Sequence, residues 1–162
     1  VLSTEILPWN DPALTRKASS IDQINDDVVA TAEHMTGVLE KLGSDKALGV
    51  AANQIGSSFA MFTVFTGPST VATIVNPRIT ESSGSWNYRE GCLSLPGMFW
   101  WIARPKDVLL TGTTLEGDDV EIRATTVTAR LFQHEMDHMN GVLILDRLPK
   151  GIRKQALRKL GG

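Results

Sequence analysis

The sequence predicts a mixed fold, with helices before and after a run of antiparallel strands, and three observations carry this. Residues 59–123 are interrupted at short intervals by Gly67-Pro68, Asn76-Pro77, Pro96-Gly97 and Glu116-Gly117-Asp118-Asp119, which leaves no room for βαβ crossovers. A long helical pattern covers residues 126–140 and ends at Gly141. A second helical pattern precedes the strands, capped by Asn25-Asp26-Asp27 and stopped by Gly43.

In chain order, the stretch up to Ser20 reads as a polar arm. Asn10-Asp11-Pro12 starts a short helix through Leu14 to Lys17. In the next helix Val28, Ala32, Met35, Val38, Leu39 and Leu42 recur on one face, so it packs on a core. Residues 59–65 read as a buried strand and 71–75 as another, ended by Asn76-Pro77. Further strands are expected at 78–81, 86–88, 100–103, 108–111 and 120–123. The last helix covers about residues 149–160, with a basic face of Lys150, Arg153, Lys154, Arg158 and Lys159.

The 162 residues form a single domain, 1–162, by expectation, with no linker, repeat or low-complexity segment. A net charge of −2 gives no bulk attraction to nucleic acid or membrane, and no apolar run matches a membrane span. No secretory signal is visible at the start. The single cysteine, Cys92, excludes an internal disulfide.

His134-Glu135-Met136-Asp137-His138 is an HExxH motif that uses two of the three histidines. Histidines four apart lie one helical turn apart and can bind one metal ion, with the glutamate beside them in reach of a water. At about 100° per residue, Val127, Leu131, His134 and His138 share one stripe, so the histidines point inward. Arg130, Gln133, Asp137 and Asn140 fall opposite. The alternative is a pair of core histidines bonded to backbone, but two buried imidazoles and a carboxylate need partners that a metal supplies. A catalytic site of this kind needs a third protein ligand. Downstream of His138 there is one carboxylate, Asp146, and no histidine. Upstream, Cys92 in Glu90-Gly91-Cys92-Leu93-Ser94 offers a thiolate suited to zinc or ferrous iron.

Three segments together resemble the motifs of the peptide deformylase family, in its order and spacing. They are Ala47-Leu48-Gly49-Val50-Ala51-Ala52-Asn53-Gln54, Glu90-Gly91-Cys92-Leu93-Ser94 and Gln133-His134-Glu135-Met136-Asp137-His138. The family usually has Gly where this chain has Ala47, and often Pro or Thr where it has Asn53. The resemblance implies an α+β fold in which antiparallel β-sheets surround a central HExxH helix, with one helix near the N-terminus and another at the C-terminus. It implies a hydrolase that removes formate from N-formylmethionyl peptides of newly made proteins. One divalent metal, Fe(II) natively, with Zn(II), Ni(II) or Co(II) in other members, is expected on Cys92, His134 and His138. A metal-activated hydroxide then attacks the formyl carbon, with Glu135 as general base and acid. The Gln54 side-chain amide and the Leu93 backbone N–H are the expected oxyanion donors.

Leu48, Tyr88, Val127, Leu131 and the stem of Arg130 are expected to form the methionine pocket. The backbone of Leu48, Gly49, Val50 and Gly91 is expected to pair with the peptide as an added strand. Glu90 and Arg104 match a structural pair of the family. In Phe99-Trp100-Trp101, alternation buries one tryptophan and exposes the other, as core and edge or as an aromatic wall of the peptide groove. The basic last helix is either a solvated face or a transient ribosome contact, as in bacterial relatives. A cytoplasmic monomer is expected, in a bacterium or a phage-infected cell, with an organelle as the alternative. The competing functions are an HExxH peptidase and a metal- or peptide-binding relative without activity.

Overall fold

A computed structural model of the protein describes residues 1–161. Helix α1 (Asp26–Leu42) is capped by the Asn25 side chain on the Val28 N–H and ends where the Gly43 N–H meets Leu39 O. Strands β1 (Gly49–Ala51), β2 (Met61–Phe65), β3 (Val71–Ser83), β6 (Asp107–Thr113) and β7 (Asp119–Thr125) form one sheet in the order β1-β2-β3-β6-β7. Every neighbouring pair in it is antiparallel. Strands β4 (Trp86–Cys92) and β5 (Leu95–Arg104) form a separate two-stranded hairpin. Helix α2 (Thr126–Met139) follows β7 directly, and α3 (Ile144–Arg147) and α4 (Lys150–Lys159) close the chain.

Alternation along the strands explains how the large sheet is covered. Met61, Val50 and Val75 pack in a cluster with α1, whereas Phe62, Ala51 and Ile74 pack in a second cluster with α2. The two helices therefore lie on opposite faces, which is why residues 59–65 read as a buried strand. Burying a side chain such as Phe62 or Met61 completely contributes roughly 1.5–3 kcal/mol. A third cluster joins Leu95 and Ile102 of the hairpin to Leu14, Leu145 and Ala156.

This architecture agrees with the α+β reading, the helix near the N-terminus and the helix at the C-terminal end. Four local expectations change. Asn76-Pro77 does not end a strand: β3 runs through it, with shifted pairing register on both sides of Arg78 and Ile79. Asn76 takes φ 48 and its side-chain amide pairs with both the N–H and the C=O of Ile21, so a bulge replaces the turn. Short strands expected around residues 71–75 and 78–81 are one. The opening arm is not a free polar tail, because Leu14 is fully buried and the Leu7 and Trp9 N–H groups donate to Gln54 O and Ser94 O. The short helix near Leu14 is a 3-10 turn, Pro12–Thr15.

Candidate active site

Helix α2 carries His134 and His138 with ring centroids 4.9 Å apart and planes at 73°. Strand β4 ends on Cys92, where an irregularity after Gly91 turns the chain tightly into β5. The Cys92 Sγ lies 3.5 Å from Nε2 of His138. The three donor atoms of Cys92, His134 and His138 all fall within 4.8 Å of one another, a group that could hold a metal ion. Ligand atoms at about 2.0–2.3 Å from a tetrahedral ion stand about 3.5 Å apart, so the donor set fits a single ion.

One of the two histidines is oriented from behind. Glu90 Oε2 lies 3.0 Å from Nδ1 of His134, which directs the other ring nitrogen toward the thiol. Glu90 also accepts from Arg104 Nε at 2.8 Å, Arg104 Nη2 at 2.6 Å and Arg130 Nη1 at 2.9 Å. Arg104 Nη1 reaches Asp137 Oδ2 at 2.9 Å, and Asp137 is shared with Arg147. Glu90, Arg104, Arg130 and Asp137 are all buried. The pair expected at Glu90 and Arg104 is thus the centre of a larger buried charge network. It also explains why Arg130 and Asp137, opposite the histidine stripe, are buried: they meet charged partners instead of water, while Gln133 between them donates to the Pro105 and Ala129 carbonyls.

Burial alone pushes Glu90 up, but the His134 hydrogen bond and the Arg104 guanidinium outweigh it and hold the carboxyl well below the usual range. Burial likewise opposes ionisation of Cys92, yet His134 and His138 hold the thiol well below its ordinary value. His134 is raised well above its ordinary value against burial, by Cys92 first and then Glu90. The thiol and the imidazole thus each favour the other's charged form. Burial pushes the Glu135 carboxyl up; His134 and His138 pull it back only in part. Its Oε2 is buried without a protein partner.

Gln54 sits on a one-turn 3-10 helix, Ala52–Ile55, directly after β1. Its Oε1 accepts the Ala51 N–H at 3.0 Å, which fixes the amide so that Nε2 faces the cysteine loop. Nε2 donates to Ser94 Oγ at 3.2 Å and lies 3.7 Å from Cys92 Sγ. Gly49 is needed here: a Cβ on it would come within 2.9 Å of Val64 Cγ1 and 3.2 Å of Glu135 Oε1.

A cleft of about 430 Å³ opens over these groups. Leu48, Tyr88, Val127, Arg130 and Leu131 line it, as expected, together with Gly49, Gly91 and Leu93. Cys92, His134, Glu135 and Gln54 stand in its wall. Val50 does not line it: its side chain is fully buried in the cluster under α1, so only its backbone belongs to this region. Val127 is not interior either, since it is 47% exposed at the cleft mouth, and the stripe it shares with Leu131 faces the cleft. Phe99 lines the cleft and Trp101 is exposed, whereas Trp100 packs on the third core cluster. Phe99 lies across Gly91, where a Cβ would strike its ring at 2.6 Å. Ser94 was given no role from the sequence, Asp137 was read only as part of the polar side of α2, and Asn53 only as a departure from the family's usual Pro or Thr. Ser94 adjoins Cys92 in a quoted motif and could have been found by that adjacency.

A buried HExxH helix, a thiol donor from a separate hairpin and an apolar cleft define a hydrolase centre of the class in which cysteine completes the two-histidine set. The family described as Polypeptide deformylase matches residues 3–154, and the chain belongs to that family. It is 34% identical to a peptide deformylase of Thermodesulfovibrio yellowstonii over 96% of this chain and 94% of the relative. It is 37% identical to one from Thermotoga neapolitana over 93% and 90%. The fold is similar to the crystal structure of a peptide deformylase from Legionella pneumophila, with a TM-score of 0.87, 31% identity and coverage of 97% and 92%. The peptide deformylase from Ehrlichia chaffeensis in complex with actinonin gives 0.86 at 27% identity, covering 99% and 96%. The family removes N-formyl groups from nascent peptides.

Proposed function

We propose that residues 1–162 work as one catalytic domain that hydrolyses the formamide of N-formylmethionyl peptides and releases formate. The observation that carries this reading is the placement of the Cys92, His134 and His138 donor atoms within 4.8 Å of one another, with Cys92 and His134 in the wall of an apolar cleft. The three residues would hold one divalent ion, Fe(II) in the native protein and Zn(II), Ni(II) or Co(II) on substitution. Such an ion supplies Lewis acidity and lowers the pKa of water toward neutrality. Glu135 takes the proton from the attacking water and returns it to the leaving amine. Its buried, unpartnered Oε2 supports that role. The Gln54 Nε2 and the Leu93 N–H donate to the oxyanion as it develops.

Leu48, Tyr88, Val127, Leu131 and the stem of Arg130 take the methionine side chain. The substrate backbone pairs along Leu48, Gly49, Val50 and Gly91. Strand β1 is the edge of its sheet, bonded only to β2, and this supports the pairing. The exposed cations of α4 make a transient, salt-sensitive contact with the ribosome, and the protein acts as a monomer in the cytoplasm. Among the described residues, no helix is long and apolar enough to cross a membrane.

Formate release from formyl-Met-Ala-Ser by anaerobically prepared protein tests this reading. Formate is expected, with the peptide bonds left intact. Peptide cleavage without formate, or no turnover by metal-loaded protein, overturns it.

A further inference from the structure

We infer that Asn53 is a positioning residue that fixes the Gln54 amide relative to the helix carrying the histidines. The inference rests on the proposed role of Gln54 as oxyanion donor. Gln54 and the histidines belong to different parts of the fold: a 3-10 turn after the edge strand, and helix α2. The bond from Ala51 N–H to Gln54 Oε1 orients the amide only within its own turn. Asn53 reaches out of that turn. Its Nδ2 donates to the backbone carbonyl of His138 at 2.7 Å, and the residue is 4% exposed. No other side-chain hydrogen bond among the described residues joins the turn to α2.

Two features separate this from ordinary packing. The His138 carbonyl lies in the last turn of α2, where intrahelical donors run out. It already accepts the Gly141 N–H at 3.1 Å, so helix termination does not require Asn53. Asn53 also keeps Oδ1 buried with no protein partner. An unpaired buried acceptor costs stability, and an apolar side chain of similar shape avoids that cost. A group kept at such a cost while its donor clamps the carbonyl of His138, a proposed metal ligand, is explained by the alignment it provides. The Leu7 N–H on Gln54 O holds the far side of the same turn and Gln54 Nε2 meets Ser94 on the cysteine loop, while Asn53 makes the direct link to α2.

Asn53→Leu removes donor and orphan acceptor together at similar volume. Turnover of formyl-Met-Ala-Ser is expected to fall by roughly tenfold to a hundredfold in kcat, the order expected for a donor displaced by about 1 Å. KM, metal content and Tm are expected to stay nearly unchanged. In the zinc-loaded protein the side-chain amide resonances of Gln54 should move toward those of a solvent-exposed glutamine. In a Gln54→Ala background, Asn53→Leu should cost no further turnover, because the two changes act through one group. If Asn53→Leu fails to fold, Asn53→Ala serves the same comparison. Full additivity of the two losses, unmoved Gln54 resonances, or a fall in metal content that accounts for the lost turnover overturns the inference. If Gln54→Ala alone leaves kcat unchanged, the oxyanion reading of Gln54 fails and the inference falls with it.

Discussion

Glu90 Oε2 lies 3.0 Å from Nδ1 of His134 while both oxygens of the same carboxylate accept from arginine. One buried group therefore aims a donor histidine and is itself immobilised. Glu90→Gln keeps the shape but removes the charge. Metal affinity is expected to fall by about 10- to 100-fold, read by competition with a chelator, with KM for peptide little changed. Unaltered metal retention would show that the carboxylate does not tune His134.

The same carboxylate predicts an acid limb in stability. Its folded-state pKa is depressed below the ordinary 4.5 by His134 and Arg104 against burial. The stabilisation is fully present above about pH 4.5 and is lost as pH falls through the depressed folded value. Urea midpoints of the wild-type protein should decline steadily from pH 5 downward. The Glu90→Gln variant, carrying a broken buried ion pair, should start about 3–5 kcal/mol lower and lose the part of the slope due to this group. Parallel pH profiles would contradict the assignment.

Glu135 gives the opposite sign. Burial raises its folded pKa, so its contribution is present below the unfolded value and is lost as pH rises through the folded one. Glu135→Gln is expected to raise the Tm of metal-free protein at neutral pH and to leave it nearly unchanged in acid. Turnover by the metal-loaded variant should drop by about 10²- to 10⁴-fold with metal retained. A variant that is less stable at neutral pH, or that keeps its activity, would remove the proposed role.

Leu48 is 46% exposed on the cleft wall. Leu48→Trp is expected to raise KM for formyl-Met peptides several-fold with metal content unchanged. Unchanged kinetics would place methionine elsewhere. The response of tryptophan fluorescence to a peptide product separates the two readings of Phe99-Trp100-Trp101, since Trp101 is solvent-exposed close to Phe99 on the cleft wall.

Helix α2 and the HExxH donors were legible because two constraints coincide on one element, a helical period and histidines four apart. Helix α1 was legible from its cap and apolar face. Strand β1 was hidden: its Gly49–Ala51 length of three residues carries no period, and it exists because β2 pairs with it. Asn76-Pro77 misled because a local turn pattern says nothing about the long-range partner, Ile21, that turns it into a bulge. The polar side of α2 was visible as polarity, but its burial depends on Glu90 and Arg104, which arrive from another part of the chain. Asn53 was visible only as a departure from the family's usual Pro or Thr, since its hydrogen-bond partner is a backbone carbonyl 85 residues away.

The hairpin of β4 and β5 belongs to neither face of the large sheet, yet it delivers Cys92, while α2 delivers both histidines. An ion bound there is a cross-link as well as a reagent. It would tie the hairpin to α2 at a further point, beside the buried Arg104–Asp137 and Glu90–Arg130 pairs and the packing of Leu95 and Ile102. Loss of the ion should register first as protease sensitivity in the hairpin, before the sheet itself melts.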